Sequence, residues 1–152
     1  MLYKIQNKYT LGLAAWLNEL ELSGRDSRYR TRFVNILRDR VKEYQTERRS
    51  IISQFVEIDK DGKFKIRKEE GVDILDVKDD DREKLETQLQ ELEEEEFVVK
   101  IDATNKNEFE AVKKLVLDTD YKFGPGENIN ELERQAKIRQ ADDYNEWCKT
   151  FE

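Results

Sequence analysis

Val34-Asn-Ile-Leu37-Arg-Asp-Arg-Val41-Lys-Glu-Tyr44-Gln-Thr-Glu-Arg48-Arg-Ser-Ile51-Ile-Ser-Gln-Phe55 is the stretch whose reading decides the fold. Its apolar residues at 34, 37, 41, 44, 51 and 55 follow steps of three and four, with only Arg48 breaking the seam. That spacing puts one apolar stripe along one face of a helix. A long helix is therefore predicted from Ser23 or Ser27 to about Gln54. The packing resembles a coiled coil over too few heptads to require one, and an antiparallel helix of the same chain would cover the stripe equally well. Left uncovered, the stripe would be the place where two copies meet.

Working outward, Leu13, Trp16, Leu17 and Leu20 recur at helical spacing, so a first helix is predicted over about Thr10 to Leu22, ended by Ser23-Gly24. Beyond Gln54 the pattern turns to alternation. Phe55 to Ile58 and Lys63 to Ile66 flank Asp59-Lys60-Asp61-Gly62, and an Asp-Gly pair favours a tight turn, which predicts a β-hairpin near 55–67. Val72, Ile74, Leu75 and Val77 add an extended piece, and the β-branched run Phe97-Val98-Val99-Lys100-Ile101 reads as a strand. Three capping-box patterns, Asp80 with Glu83, Asn107 with Glu110 and Asn128 with Glu131, each precede helical apolar spacing. Gly124-Pro125-Gly126 separates the last two helices, and the final one is expected within 125–152. The fold class expected is mainly α (α+β): an elongated helical hairpin or bundle with a small antiparallel β element, in a single domain covering 1–152.

Of the 152 residues 37% are apolar and 41% charged, which makes for a thin core and helices that bury one stripe each. No stretch approaches the roughly 20 apolar residues needed to span a bilayer. The first residues lack the basic-then-apolar layout of a secretory signal, so a cytoplasmic protein with no membrane contact is expected. The net charge of −7 opposes general affinity for nucleic acid. The charge is unevenly laid out, however. Arg25 to Arg49 holds nine bases and four acids, whereas Glu69 to Phe97 holds fourteen acids and three bases.

Histidine is absent and Cys148 is the lone cysteine, which removes the usual near-neutral proton carrier and any structural zinc site. Cys148 falls in an apolar helical pattern and reads as a small core residue. The serines Ser23, Ser27 and Ser50 fall at helix starts or within the long helix, and capping explains the first two better than nucleophilic chemistry. Glu57-Ile-Asp59-Lys-Asp61-Gly62-Lys-Phe64 imitates the opening of a calcium loop. Position twelve is Lys68 where a bidentate Glu belongs, so a plain turn is the better reading. Asp73-Ile-Leu-Asp76-Val-Lys78 resembles the metal-binding end of some nucleases, but Asp-x-Lys is expected by chance in so charged a chain. No catalytic, metal or cofactor site is therefore expected.

The run Leu20-Glu-Leu22-Ser-Gly24-Arg-Asp-Ser27-Arg28-Tyr-Arg30-Thr-Arg32-Phe33, the helix that continues it, Asp59-Lys-Asp61-Gly62 and the later acidic helix leading into a short strand follow one another in fixed order. In this order the chain resembles a family of small, functionally uncharacterised proteins from phages and prophages of Gram-positive bacteria, over most of residues 10 to 120. The Leu-x-Gly-x-x-Ser-Arg-x-Arg part carries most of the specificity. The resemblance implies a phage setting and brings no known activity.

Shape and charge are then the tools left to the molecule. The leading expectation is a phage or prophage accessory protein that binds a protein partner of phage or host, without catalysis, and that also has scope to self-associate. The candidate contact residues are Arg25, Arg28, Arg30 and Arg32 on one side, and Asp79, Asp80, Asp81, Glu93, Glu94, Glu95 and Glu96 on the other. As an alternative, these acids together with Asp76 would mimic a phosphate backbone and block a host or defence protein. A second alternative is nucleic-acid binding through the Arg25 to Arg49 helix. Set against both is the simpler expectation that this basic helix lies along the acidic Glu69 to Glu96 stretch of its own chain.

Overall fold

The computed structural model describes residues 1–118 and 142–152 and shows an α+β chain. In order, the elements are β1 (Leu2–Gln6), α1 (Asn7–Glu19), α2 (Gly24–Ser53), β2 (Ile66–Glu69), β3 (Val72–Leu75), α3 (Asp79–Glu94), β4 (Glu96–Lys100) and α4 (Lys106–Asp118). Residues 142–151 form a further helix. The chain gathers into two compact units, Met1–Val41 with Glu96–Glu152, and Lys42–Glu95. The cause is visible in α2. Its 30 residues extend about 45 Å at 1.5 Å per residue, and its stripe feeds two separate apolar clusters.

In the first unit β1 and β4 pair antiparallel, from Leu2 opposite Lys100 to Gln6 opposite Glu96. Period-2 alternation sends Tyr3, Ile5 and Val99 into the core and leaves Leu2, Lys4, Val98 and Lys100 on the outer face. β1 was not anticipated from the sequence. The inner face meets Leu13 and Leu17 of α1, Phe33, Val34 and Leu37 of α2, and Phe109, Val112 and Val116 of α4 in one cluster. Tyr3, Phe33, Phe109 and Phe151 form its aromatic centre, with Phe151 stacked on Tyr3 at 4.8 Å and on Phe109 at 5.7 Å. The helix of residues 142–151 adds Trp147, whose ring closes against α1 at Gly12. A Cβ there would stand 3.0 Å from the ring. Tyr144 donates to the carbonyl of Val116 at 2.7 Å, and Cys148 packs partly buried against the same core.

The second unit has a smaller core of Ile52, Val56, Val77 and Leu85. Its regular hairpin is β2 with β3, Glu69 opposite Val72, joined by Glu70-Gly71. Both turn residues take positive φ, 52° and 79°, as a two-residue type I′ turn requires, and glycine supplies the second at no steric cost. The hairpin expected near 55–67 is reduced to a turn with a single bridge between Ile58 and Phe64. There the Asp59 carboxylate accepts the amides of Asp61 and Lys63 at 2.8 and 3.0 Å. This folds the loop on itself, and its flanks keep two backbone bonds, from Asp59 N–H to the Lys63 carbonyl at 2.7 Å and from Lys65 N–H to the Glu57 carbonyl at 2.9 Å.

Two capping boxes take a different form. α3 opens after Lys78, which has no side-chain cap, so Asp79, Asp80 and Asp81 fill the first turn, where carboxylates face the positive end of the helix. α4 opens at Lys106, and the groups organising its start precede Asn107. Asp102 accepts from the amide and hydroxyl of Thr104 at 2.9 and 2.6 Å, and Asn105 donates to the carbonyl of Lys100 at 2.8 Å. The Asn128 and Glu131 box and Gly124-Pro125-Gly126 lie outside the described residues.

Candidate functional site

The Arg-rich stretch divides once its side chains are placed. Arg30 is buried, only 8% exposed, and its Nη1 donates to the carbonyls of Leu17 and Leu20, each at 2.8 Å. It thus places a cation at the C-terminal end of α1, where unmet carbonyls collect. Arg32 donates to Glu108 of α4 at 3.2 Å. Arg40 donates to the buried Asn7 at 2.9 Å and lies 6.0 Å from the centre of the Phe97 ring. Arg25 and Arg28 are exposed on the first turns of α2. Of the four arginines expected to meet a partner, Arg30 is part of the core and Arg32 is tied to α4, while Arg25 and Arg28 remain on the surface. Arg30 meets α1, Arg32 meets α4, and Arg40 meets α1 and β4.

Nor do the acids form one patch. Asp79, Asp80 and Asp81 start α3, whereas Glu93 and Glu94 end it, about 20 Å away along the axis at 1.5 Å per residue. Arg67 of β2 holds Asp79 at 3.1 Å and approaches Asp76 at 3.9 Å. Asp81 has Lys84 at 3.9 Å, and Gln90 donates to Glu94 at 3.1 Å. Glu96 belongs to β4 in the first unit and has Lys4 at 4.0 Å.

What the second unit does bring together went unread in the sequence. The later half of α2 presents Thr46, Glu47, Ser50 and Ile51, and α3 presents Gln88, Glu91, Leu92 and Glu95 across from them. Together they line an open groove of about 550 Å³. Ile51 and Leu92 give it an apolar floor; Glu47, Glu91 and Glu95 give it an acidic rim. Close by, burial raises the pKa of the Tyr44 phenol, and Glu93 raises it further against the opposing pull of Arg48. The stripe positions 46, 47, 50, 51 and 88, 91, 92, 95 are ordinary helical spacing, but the tertiary pairing that makes them one surface is not written in either helix alone.

The acid-rich end of α3 runs against local electrostatics. The last turn of a helix carries the negative end of its dipole and favours Lys or Arg. α3 has no base there and instead ends in Glu91, Glu93 and Glu94, with Glu95 as its cap residue. No base stands in the last turn of α1, α2 or α4 either, and α3 is the one of these helices whose last residues are nearly all glutamate. Chemically the groove can accept cations along its rim and take in an apolar side chain between them.

The imitation calcium loop has its carboxylates committed elsewhere. Asp59 caps its own turn, and Glu57 is paired with Lys65, which holds the Glu57 carboxyl below its usual pKa. Arg49 secures the loop, donating to the carbonyl of Gly62 and sitting 4.9 Å from the centre of the Phe64 ring. Asp73 stands opposite Lys68 in the hairpin and Asp76 faces Arg67, so the nuclease-like triplet has no shared focus. Among the described residues no three His, Cys, Asp or Glu side chains converge as a metal site would need, and no helix is long and apolar enough to cross a membrane.

No curated protein and no solved structure matched the chain. A family model did match, over residues 1–137, which takes in β1 to β4 and α1 to α4. The chain therefore belongs to the family described as "Protein of unknown function (DUF1617)".

Proposed function

We propose that this protein works by non-catalytic binding to a protein partner, that the groove between α2 and α3 is the contact surface, and that the segment it receives is a basic amphipathic helix. The observation that carries this is the pairing of an apolar floor, Ile51 and Leu92, with a glutamate rim at the helix end least suited to glutamate. A helix laid in such a groove places one or two apolar anchors on the floor and Lys or Arg against the rim. The setting we propose is that of a phage or prophage accessory protein in the host cytoplasm, acting in virion assembly or on a host protein.

The mimicry reading has less support, because the acids it needs are divided between the two ends of α3 and several already face Arg67, Lys84 or Lys4. Nucleic-acid binding through α2 loses Arg30 to the core and Arg32 to Glu108. The test is a pull-down from infected cells with tagged wild-type protein and, in parallel, the exposed-rim variant Glu91→Lys, its fold checked by circular dichroism. A protein retained by the wild type, lost with Glu91→Lys and carrying a basic amphipathic segment is the expected result. Equal recovery by both proteins would overturn the reading.

A further inference from the structure

Among the described residues β4 is an edge strand, since its sheet has two members there. Met1 and Ile101 exchange backbone hydrogen bonds, Ile101 N–H to the Met1 carbonyl at 2.8 Å and the Met1 amino group to the Ile101 carbonyl at 3.4 Å. In an antiparallel ladder bonded and non-bonded pairs alternate. Tyr3 with Val99 and Ile5 with Phe97 are therefore the next bonded pairs. The backbone N–H and C=O groups of Glu96, Val98 and Lys100 point the other way, off the free edge. The Asn105 side chain, donating to the Lys100 carbonyl, marks the end of that edge.

The side chains of the same three residues are exposed and share the outer face. Their order, Glu96, Val98, Lys100, is self-complementary. A second β4 laid antiparallel with its two-fold axis at Val98 sets Glu96 opposite Lys100 of the second copy, Lys100 opposite Glu96 of the second copy, and Val98 against Val98. Val98, 44% exposed, gains a covered apolar face, and its outward N–H and C=O find partners. The other edge does not allow this. The outward residues of β1 are Leu2, Lys4 and Gln6, and a two-fold axis at their centre would put Lys4 against Lys4. The first half of the α2 stripe that the sequence offered for self-association is closed, with Val34, Leu37 and Val41 at 1%, 0% and 6% exposure.

We infer that two copies of this chain associate through β4, joining two two-stranded sheets into one four-stranded antiparallel sheet centred on Val98. This goes beyond the groove reading and stands on different residues. The test is sedimentation of the full chain over a range of concentrations, with three variants. Wild type is expected to form a concentration-dependent dimer. Glu96→Lys sets like charges opposite each other twice and should weaken the dimer about tenfold or more. The exchange of both charges in one chain, Glu96→Lys with Lys100→Glu, should restore it. Val98→Pro removes an outward donor and no bond to β1, so it should give a folded monomer. Should that variant fail to fold, the charge exchange alone decides. A wild type that stays monomeric at all concentrations, or a dimer indifferent to the Glu96 reversal, would overturn the inference.

Discussion

Arg30 shows how much turns on one side chain. Its two charge-assisted bonds satisfy carbonyls at the end of α1 from a position inside the core, so replacing it by Met keeps most of the volume and leaves those acceptors short. Loss of hydrogen bonds from a charged donor costs about 1.5–3 kcal/mol, and denaturant unfolding of Arg30→Met should show a loss of that size. Asp102 offers a test in pH. Hydrogen bonds from the hydroxyl and amide of Thr104 hold its carboxyl below the ordinary Asp value. A depressed pKa contributes stability that is present above the unfolded value and is lost as pH falls through the folded one. Asp102→Ala should therefore melt below wild type at pH 7, and the gap should close as pH drops below about 3.9. Neither role could be read from sequence. Arg30 looks like one more base in a basic run, and the signal at 107 and 110 diverted attention from the Asp102 to Asn105 segment that organises the helix start.

At the scale of elements, the sequence is most legible where a period is long. α2, expected from Ser23 or Ser27 to about Gln54, runs Gly24–Ser53, because thirty residues of spacing average out any single exception such as Arg48. β4 was legible from its β-branched run. β1 was not, since five residues abutting a helix with no turn between them give no punctuation, and their partner lies some ninety residues on. The hairpin was misplaced because Asp61-Gly62 is the stronger turn signal, whereas Glu70-Gly71 is the one flanked by residues free to pair. The helix of residues 142–151 shows what its aromatic positions do. Phe151 stacks on Tyr3 and Phe109, so Phe151→Ala should cost about 3–5 kcal/mol in chemical denaturation. A loss under about 1 kcal/mol would mean that this helix does not complete the core.

For the molecule as a whole, low apolar content goes with two apolar clusters of unequal size. The larger cluster packs Phe33, Val34 and Leu37, while the second rests on Ile52, Val56, Val77 and Leu85, and a smaller core opens at lower free energy. Hydrogen exchange should accordingly show protection falling along the single helix α2, from amides near 34–41 to those near 46–53. Uniform protection would contradict a division of the chain into two units. The candidate site was the least legible feature. Glu93 to Glu96 drew notice as a charge run, yet the groove depends on Glu47, Ile51, Glu91 and Leu92, which acquire a common purpose only when α2 and α3 pack side by side. The same exchange experiment, repeated with the partner recovered by pull-down, tests the central claim most directly. Binding at the groove predicts added protection at residues 46–51 and 88–95, whereas protection confined to 25–40, with those two segments unchanged, would contradict it.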